Sequence, residues 1–336
     1  MSGHNRQILL VSRPTGAVTE ACFAVQDAEI EPPGAGEVLV RNLFLSCDPY
    51  MRGRMATATV GYAEGFSIGQ PVPARVVGQV LDTRHPAFAV GDYVWGFMRW
   101  ELYSRVSDPS TLYRIDPALG PVSHAISVLG MPGRTAEVGM LELGQPKPGE
   151  TVFVSAASGA VGQIAGQLAK AAGARVIGSA GTDDKVRHVI RELGFDDCFN
   201  YRSTPPDEAL AALCPEGIDV YFDNVGGATL DAVLRRLRPF ARIPVCGMIS
   251  QYDGPTGGVR NLSAVVGARA VMTGFIIYDH MQDFESFPPR MAARMRRGEV
   301  RYFEDIVSGI DNTPAAFIGM MRGENLGKRL VQVASP

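Results

Sequence analysis

The chain has 336 residues, of which 46% are hydrophobic and 20% charged, a length and composition typical of a globular protein with two domains. Its formal net charge of −3 excludes a polybasic surface for nucleic acid or anionic lipid, and no apolar run reaches the ~20 residues of a membrane-spanning helix. Residues 1–13 lack the apolar core of a signal peptide. Five scattered cysteines without a Cys-x-x-Cys pair are typical of free thiols in a reducing compartment, so a cytoplasmic protein is expected.

The two halves of the chain differ in their pattern. Up to about residue 125, short apolar runs such as 37–45, 74–81 and 91–97 are broken by Gly and Pro, which predicts an antiparallel β domain. After Pro132, predicted strands and helices alternate, which predicts an α/β domain with a doubly wound parallel sheet. The predicted strands are 151–155, 175–179, 197–200, 218–223, 242–248 and 271–276, and the predicted helices are 160–172, 183–193, 207–213 and 227–237.

A last predicted strand, 327–333, returns to the first domain. The predicted domains are therefore 1–125 with 300–336, which form the β-rich domain, and 126–299, which form the α/β domain.

Residues 151–162 contain the strongest local motif. A β-branched apolar run leads into Ala157-x-Gly159-x-x-Gly162, and a helical pattern follows. Strand, tight turn and helix in this order present backbone N–H groups and a helix N-terminus to a pyrophosphate. Ala157 occupies the position of the first glycine in the usual G-x-G-x-x-G pattern. The alternative to a dinucleotide-binding motif is an ordinary turn between strand and helix with small packing residues.

The next strand indicates which dinucleotide binds. It ends in Ser179-Ala-Gly-Thr182, without the carboxylate that bonds the ribose 2′-hydroxyl of NAD. Asp183 and Asp184 come later and match the first turn of a helix, where the dipole favours negative charge. Lys185 follows, and a cation without a competing acid favours NADPH over NADH. A solvated helix lysine is the alternative for Lys185, so the missing acid is the stronger indication.

Three further strand ends are predicted to line one crevice, because ligands of such sheets bind outside the carboxyl ends of the strands. Residues 222–227 place Asn224 and Gly226 towards a cofactor, whereas Asp223 either joins them or braces the turn. Residues 246–250 and 275–278 end the following two strands.

Tyrosines are the remaining polar candidates. A phenol can donate a hydrogen bond or a proton to a substrate carbonyl, and a packing role is the alternative at each position. The candidates are Tyr50, Tyr62, Tyr252 and Tyr278.

Metal ligands are not evident in the sequence. The five histidines, at 4, 85, 124, 188 and 280, form no Gly-His-Glu arrangement and share no ligand spacing with a cysteine. Cys47 has no histidine nearby, which favours a buried, inert thiol. No metal site is therefore predicted.

Several sequence blocks occur together and in a particular order along the chain. This combination is a more specific indication of a protein family than any single block. These blocks are 48–54, 129–135, 156–162, 222–227, 246–250 and 324–328. With them the chain resembles, over almost its whole length, the zinc-free branch of the medium-chain dehydrogenase/reductase superfamily. Within it the chain is most similar to prostaglandin reductases, plant alkenal double-bond reductases and bacterial curcumin reductases, all NADPH-dependent. The resemblance implies a Rossmann-type NADPH-binding domain, a mostly β, GroES-like catalytic domain and a homodimer formed through sheet edges.

The resemblance also implies roles for individual residues. The backbone of Ala157, Gly159, Ala160 and Val161 is implied to bind the phosphates. Lys185 and Tyr201, beside Gly181, are implied to bind the adenosine 2′-phosphate. The nicotinamide half falls to Asn224, Cys246, Gly247, Ile249, Ser250, Tyr252, Phe275, Ile277 and Asn325. Tyr50, Tyr62 and Tyr278 are implied on the substrate side, with Tyr252 and Tyr62 as catalytic candidates. Asp279-His280 and the glycine-rich loop 254–258 depart from the family pattern, which leaves the substrate open.

The implied reaction is zinc-independent reduction of the C=C bond of α,β-unsaturated aldehydes or ketones, with hydride transfer from NADPH to the β-carbon. Tyr252 or a ribose hydroxyl would stabilise the enolate oxygen. Three alternatives stay open: an NADPH-dependent quinone reductase, a non-catalytic NADPH-binding protein and, disfavoured by the missing ligands, a zinc alcohol dehydrogenase.

Overall fold

The computed structural model describes residues 4–56, 64–254 and 258–336. The chain divides into two compact units, Met1–Ile126 with Glu304–Pro336, and Ser127–Phe303. The sequence predicts unit boundaries after residue 125 and before residue 300. In the structure the boundaries lie after Ile126 and after Phe303.

The first unit is built mainly of antiparallel strands. Strands are numbered in chain order as β1 His4–Leu10, β2 Phe23–Glu29, β3 Val38–Ser46, β4 Gln70–Pro71, β5 Pro73–Thr83, β6 Tyr93–Arg99, β7 Tyr103–Val106 and β8 Tyr113–Arg114, and near the C-terminus as β15 Glu304–Ser308 and β16 Lys328–Gln332. A larger sheet has the order β15-β16-β3-β5-β6-β8, with β7 also paired to β3, and a smaller sheet has the order β2-β1-β4. Strand β3 is buried along almost its whole length, which explains its near-continuous apolar sequence.

Strand β16 confirms that the C-terminal segment returns to the first unit. It pairs with β3 in antiparallel register, with Leu330 opposite Ser46.

The second unit contains a six-stranded parallel sheet. Its strands are β9 Thr151–Val154, β10 Arg175–Ala180, β11 Asp197–Asn200, β12 Ile218–Phe222, β13 Leu237–Val245 and β14 Val271–Gly274. Their order is β11-β10-β9-β12-β13-β14, so the direction of winding reverses between β9 and β12. This is the doubly wound sheet expected from the sequence, and such a reversal is where ligands bind.

Helices occupy the connections between strands. They are α1 Tyr50–Arg54 and α9 Thr313–Met321 in the first unit, and α2 Met131–Glu137, α3 Gly162–Ala171, α4 Asp183–Arg191, α5 Pro206–Leu213, α6 Gly227–Leu234, α7 Ala264–Ala268 and α8 Phe287–Arg296 in the second. A π-helical segment, Val138–Gly144, continues α2. Among the described residues, no helix has the length and apolar character needed to cross a membrane.

One predicted helix was too long. The sequence pattern predicts a helix over 227–237, but α6 ends at Leu234 and β13 already begins at Leu237. Leu237 pairs in parallel register with Ile218 of β12. Pairing with a strand that is distant in sequence therefore overrides the local helical periodicity.

Helix α3 packs against the end of β9 at a distance that only glycine allows. A Cβ at Gly162 would lie 2.3 Å from the carbonyl oxygen of Ala156, well inside contact distance. Backbone atoms cannot move aside as the end of a flexible side chain can, so a side chain here strains the packing.

We expect Gly162→Ala to lower the free energy of unfolding by about 1–3 kcal/mol, as overpacking of a close contact does. Gly267→Ala is the matched control, because this helical glycine has no described atom within 4 Å of its Cβ position. Urea unfolding of both variants measures the difference. Equal stability of the two variants would contradict the role assigned to Gly162.

Candidate active site

The turn after β9 is held by backbone hydrogen bonds. The Ala157 N–H donates to the carbonyl oxygen of Ser179 at 2.9 Å, and the Gly159 N–H donates to that of Ala156 at 2.9 Å. A Cβ at Gly159 would have a single described neighbour within 4 Å, the Ala156 carbonyl oxygen at 3.2 Å. The turn therefore has an open face at Gly159, where a bound phosphate could approach the backbone.

The structure explains why alanine replaces the first glycine of the motif. The Ala157 side chain is fully buried, and its methyl carbon lies 2.8 Å from the position that a Cβ of Gly178 would occupy. Gly178 belongs to the adjacent strand β10. The glycine that permits the close approach of turn and strand is thus on the neighbouring strand.

A phenol and a guanidinium lie close to Gly181, which directly follows β10. A Cβ at Gly181 would lie 3.0 Å from the Tyr201 hydroxyl and 3.4 Å from Nε of Arg202. Tyr201 is one of the residues predicted from the sequence to lie here, whereas Arg202, which directly follows it in the chain, is not among them. Lys185 lies in the first turn of α4, where its N–H donates to the Thr182 hydroxyl at 3.3 Å.

Both nearby carboxylates have partners of their own. Asp183 accepts a hydrogen bond from Nδ2 of Asn200 at 2.8 Å, and Asp184 pairs with Arg187. These contacts help to order the first turn of α4. The absence of an acid from residues 179–182 is what fits a phosphate rather than a ribose hydroxyl.

The carboxylate of Asp223 braces the turn that follows β12. Its Oδ1 accepts hydrogen bonds from the Tyr221 hydroxyl at 2.6 Å, from the Val225 N–H at 2.9 Å and from the Gly226 N–H at 2.8 Å. Burial is the main influence on this group and raises the pKa of Asp223, while these hydrogen bonds oppose the rise. Of the two roles that the sequence left open for Asp223, the structure supports the structural one.

Ser155 links the end of β9 to the same turn. Its Oγ accepts a hydrogen bond from the Asn224 N–H at 3.0 Å and lies 3.1 Å from the Tyr221 hydroxyl. Its carbonyl oxygen accepts from Nδ2 of Asn224 at 2.8 Å. This second bond fixes the amide plane of Asn224, so Oδ1 is the acceptor that the side chain offers. Sequence reasoning missed Ser155, since its partners are distant in the chain.

The turn after β13 is bound to the turn after β12. The carbonyl oxygen of Asp223 accepts from the N–H groups of Cys246 at 2.8 Å and Gly247 at 3.1 Å. The Ser250 hydroxyl donates to the carbonyl oxygen of Val225 at 2.6 Å. The Ile249 N–H donates to that of Asn224 at 3.3 Å. The two predicted strand-end groups therefore form one continuous surface.

Tyr252 and Cys246 belong to this surface. A Cβ at Gly247 would lie 3.2 Å from the Tyr252 hydroxyl, so glycine leaves room for the phenol. Burial, with a further contribution from the charge of Asp223, raises the pKa of the Cys246 thiol to about 12. Cys246 is therefore a thiol rather than a thiolate at neutral pH, and it is a poor nucleophile.

Phe275, after β14, packs against the π-helical segment. A Cβ at Gly139 would lie 2.8 Å from the ring of Phe275 and 2.6 Å from that of Phe222. Gly139 thus sets how deep the Phe275 ring sits, a relation that the sequence did not reveal. Ile277 and Tyr278 lie in the following short helix, Ile277–His280, and Tyr278 is 51% exposed.

Two predicted site residues flank an ion pair in the first unit. Nζ of the buried Lys328 donates to Asp48 at 2.6 Å and to the carbonyl oxygen of Cys47 at 2.8 Å. Tyr50 begins helix α1 just after Asp48, and Nδ2 of Asn325 donates to the Gly327 carbonyl at 2.6 Å, next to Lys328. The Lys328–Asp48 pair therefore holds the segment that contains Tyr50 close to the segment that contains Asn325.

Tyr62 lies outside the described residues. Cys47 is buried, and burial raises the pKa of its thiol to about 12, which fits the inert thiol predicted from the sequence. Within 4–56, 64–254 and 258–336, no three His, Cys, Asp or Glu side chains are grouped so that they could hold a metal ion.

Comparison with known proteins identifies the family. Residues 6–115 match a family model described as the N-terminal domain of oxidoreductase, and residues 160–294 match one described as zinc-binding dehydrogenase. The 2-alkenal reductase (NADP(+)-dependent) of Nicotiana tabacum is 43% identical, with 98% of each chain covered. The NADPH-dependent curcumin reductase of Escherichia coli is 40% identical, with 98% of this chain and 97% of that protein covered.

A solved structure agrees with these relatives. CurA from Vibrio vulnificus in complex with NADPH superimposes with a TM-score of 0.93 at 41% identity, covering 98% of this chain and 100% of that one. The described side chains do not fit the zinc named in one family description. The chain therefore belongs to the zinc-free alkenal reductase subfamily of the medium-chain dehydrogenase/reductase superfamily.

Proposed function

We propose that this protein reduces the C=C bond of α,β-unsaturated aldehydes and ketones with NADPH. The observation that carries the proposal is 43% identity, across 98% of both chains, to a protein named as an NADP-dependent 2-alkenal reductase. Bound NADPH would supply the hydride that reaches the β-carbon of the substrate. The protein's own part is to hold the cofactor, orient the carbonyl and stabilise the charge that develops on its oxygen.

Most of the proposed cofactor-binding residues follow the strand ends of the second unit, whereas Asn325 lies in the first unit. The proposed phosphate site is the backbone of Ala157, Gly159, Ala160 and Val161, which is supported by the open face at Gly159. The proposed 2′-phosphate site is Gly181, Lys185 and Tyr201, supported by the absence of a carboxylate from residues 179–182 at the end of β10. The proposed nicotinamide site is Asn224, Cys246, Gly247, Ile249, Ser250, Tyr252, Phe275, Ile277 and Asn325. Tyr50, Tyr62 and Tyr278 remain predicted substrate-side residues.

The two units have separate proposed roles. The β-rich unit, predicted at 1–125 with 300–336, corresponds to the GroES-like catalytic domain, and the unit predicted at 126–299 corresponds to the NADPH-binding domain. The parallel sheet supports the second assignment, since its winding reverses between β9 and β12. Expressing residues 127–303 alone tests this assignment, and a soluble product that fails to bind NADPH would contradict it.

A cytoplasmic location is proposed from the cysteines, because all five are free thiols and four of them are buried. Cell fractionation measures the location, and recovery in a secreted or membrane fraction would contradict it.

A homodimer is proposed through the edge of the parallel sheet. Strand β14 is the last strand of this sheet in the described chain, and Val271 on it is 58% exposed, with Val266 of α7 80% exposed. An exposed apolar edge strand tends to pair with another chain. Sedimentation equilibrium of the full chain tests the proposal, and the mass of a single chain at micromolar concentration would contradict it.

The direct test of the activity is NADPH oxidation, followed by absorbance, with a short alkenal, an aryl enone and a quinone. We expect turnover of the two enones and formation of the saturated carbonyl product, identified by mass spectrometry. Turnover of the quinone alone would favour a quinone reductase. Tight NADPH binding without turnover of any acceptor would favour a non-catalytic NADPH-binding protein.

Lys185→Ala tests the preference for NADPH. A charge-assisted hydrogen bond to phosphate contributes about 1.5–3 kcal/mol, so we expect the KM for NADPH to rise roughly 10- to 100-fold. The KM for NADH, which has no 2′-phosphate, should stay the same. Lys147→Ala, an exposed lysine before the amino end of β9, is the matched control and should alter neither value. A parallel rise for both cofactors in Lys185→Ala would remove this residue from the 2′-phosphate site.

Tyr252→Phe tests the proposed catalytic role of this phenol. A donor to a developing oxyanion contributes on the order of 3 kcal/mol, so we expect kcat to fall roughly 100-fold, a larger factor than any rise in the Kd of NADPH. Tyr113→Phe, a partly exposed tyrosine stacked on Trp95 in the first unit, should leave both values unchanged. Unchanged turnover of Tyr252→Phe would exclude this residue from the mechanism.

A further inference from the structure

Three side chains, Ser155, Tyr221 and Asp223, form a buried polar network across the point where the sheet reverses. All three are fully buried. Ser155 directly follows β9, Tyr221 lies within β12 and Asp223 directly follows β12. The network therefore joins the two central strands at their carboxyl ends, the edge at which ligands of such sheets bind.

The network controls the turn rather than the body of the sheet. Asp223 accepts hydrogen bonds from the N–H groups of Val225 and Gly226. Ser155 accepts from the backbone N–H of Asn224 through Oγ and from the Asn224 side-chain amide through its own carbonyl oxygen. Gly226 has a φ of +68°, a conformation that glycine adopts readily, so this turn has an unusual backbone shape that needs support. The Tyr221 hydroxyl contacts both partners, at 2.6 Å from Asp223 Oδ1 and 3.1 Å from Ser155 Oγ.

The second carboxylate oxygen makes the network sensitive to substitution. Asp223 Oδ2 is buried and makes no hydrogen bond within the described chain, so the position of the carboxylate depends on the donors to Oδ1. Loss of one of these donors leaves a buried acceptor less satisfied, which is costly. The same turn binds the turn of residues 246–252 through the Asp223 carbonyl oxygen, so a shift would reach both.

We propose that Ser155, Tyr221 and Asp223 are positioning residues that pre-order the turn at Asn224 for the nicotinamide half of the cofactor. The proposal rests on the proposed NADPH-dependent function. It assigns these residues no contact with substrate or cofactor. Their contribution is to hold Asn224 and the adjoining turn in the binding conformation before NADPH arrives, which removes an ordering cost from binding.

The test compares two ligands that share one half. Adenosine 2′,5′-bisphosphate carries the adenosine and 2′-phosphate of NADPH but lacks the nicotinamide half. We expect Tyr221→Phe and Ser155→Ala each to raise the Kd of NADPH roughly 3- to 30-fold, as expected when a buried group loses a hydrogen bond. The Kd of adenosine 2′,5′-bisphosphate should stay within about twofold, because its 2′-phosphate is proposed to bind at the end of β10 and its 5′-phosphate at the backbone of residues 157–161, whereas the network holds the turn of residues 224–226. Isothermal titration calorimetry measures both.

Three further variants separate positioning from general damage. Asp223→Asn keeps an oxygen acceptor for the Tyr221 hydroxyl and the two N–H groups, so it should retain more NADPH affinity than Asp223→Ala. Ser104→Ala is the matched control, because this buried hydroxyl in the first unit also makes two hydrogen bonds, to Asn42 at 2.9 Å and to Glu101 at 2.8 Å. Its loss should lower stability and leave both Kd values unchanged.

Each outcome decides the proposal. Equal weakening of both ligands in Tyr221→Phe and Ser155→Ala would assign the network to general stability and overturn the positioning role, as would unchanged binding of both ligands. If Tyr221→Phe fails to fold, Ser155→Ala alone gives the same comparison. Absence of enone turnover by the wild-type chain would refute the proposed activity but not the positioning role, which depends on binding alone.

Discussion

The buried carboxylate of Asp223 is the group on which the described site most depends. Burial disfavours its charged form, and one phenol with two backbone N–H groups compensates through a single oxygen. Those donors can reach it only if the chain after β12 turns sharply through Gly226. The turn then offers its carbonyl oxygens to residues 246–250, so satisfaction of one acid determines the shape of two strand ends.

Close approaches at glycine set the other distances in the second unit. Gly162 lets α3 begin almost against the Ala156 carbonyl, and Gly178 accepts the methyl group of Ala157. The absence of a side chain at Gly139 leaves space for the ring of Phe275. In each case the neighbour is either backbone or a tightly packed side chain, so the spacing cannot adjust to a larger residue. A ligand-binding surface built this way is stiff, which suits a protein that must hold a cofactor in one orientation.

The first unit relies on a different interaction, the ion pair between the buried Lys328 and the half-buried Asp48. Lys328 belongs to the C-terminal strand and Asp48 follows β3, so the pair joins the two chain segments of which this unit is made. Removal of one partner from such a pair leaves an uncompensated buried charge, which is strongly destabilising. The position of Tyr50 and Asn325 beside this pair therefore depends on the return of the C-terminal segment.

The sequence by itself determined the alternation of strands and helices, the dinucleotide motif, the family and the preference for a 2′-phosphate. The alternation rests on periodicity, the motif on glycine spacing and the 2′-phosphate preference on the absence of an acid at the end of β10, which are local signals. The family rests instead on the resemblance of several sequence blocks that occur in order along the chain. Only the tertiary structure decided that Asp223 braces its turn, that Gly178 compensates for Ala157, that Arg202 lies beside Gly181 and that α6 ends at Leu234. Asp223 bonds residues two and three positions away, and the structure was needed to choose between its two possible roles. The other three findings depend on contacts between residues far apart in the chain. Such contacts follow from strand order and packing, which local sequence patterns do not contain.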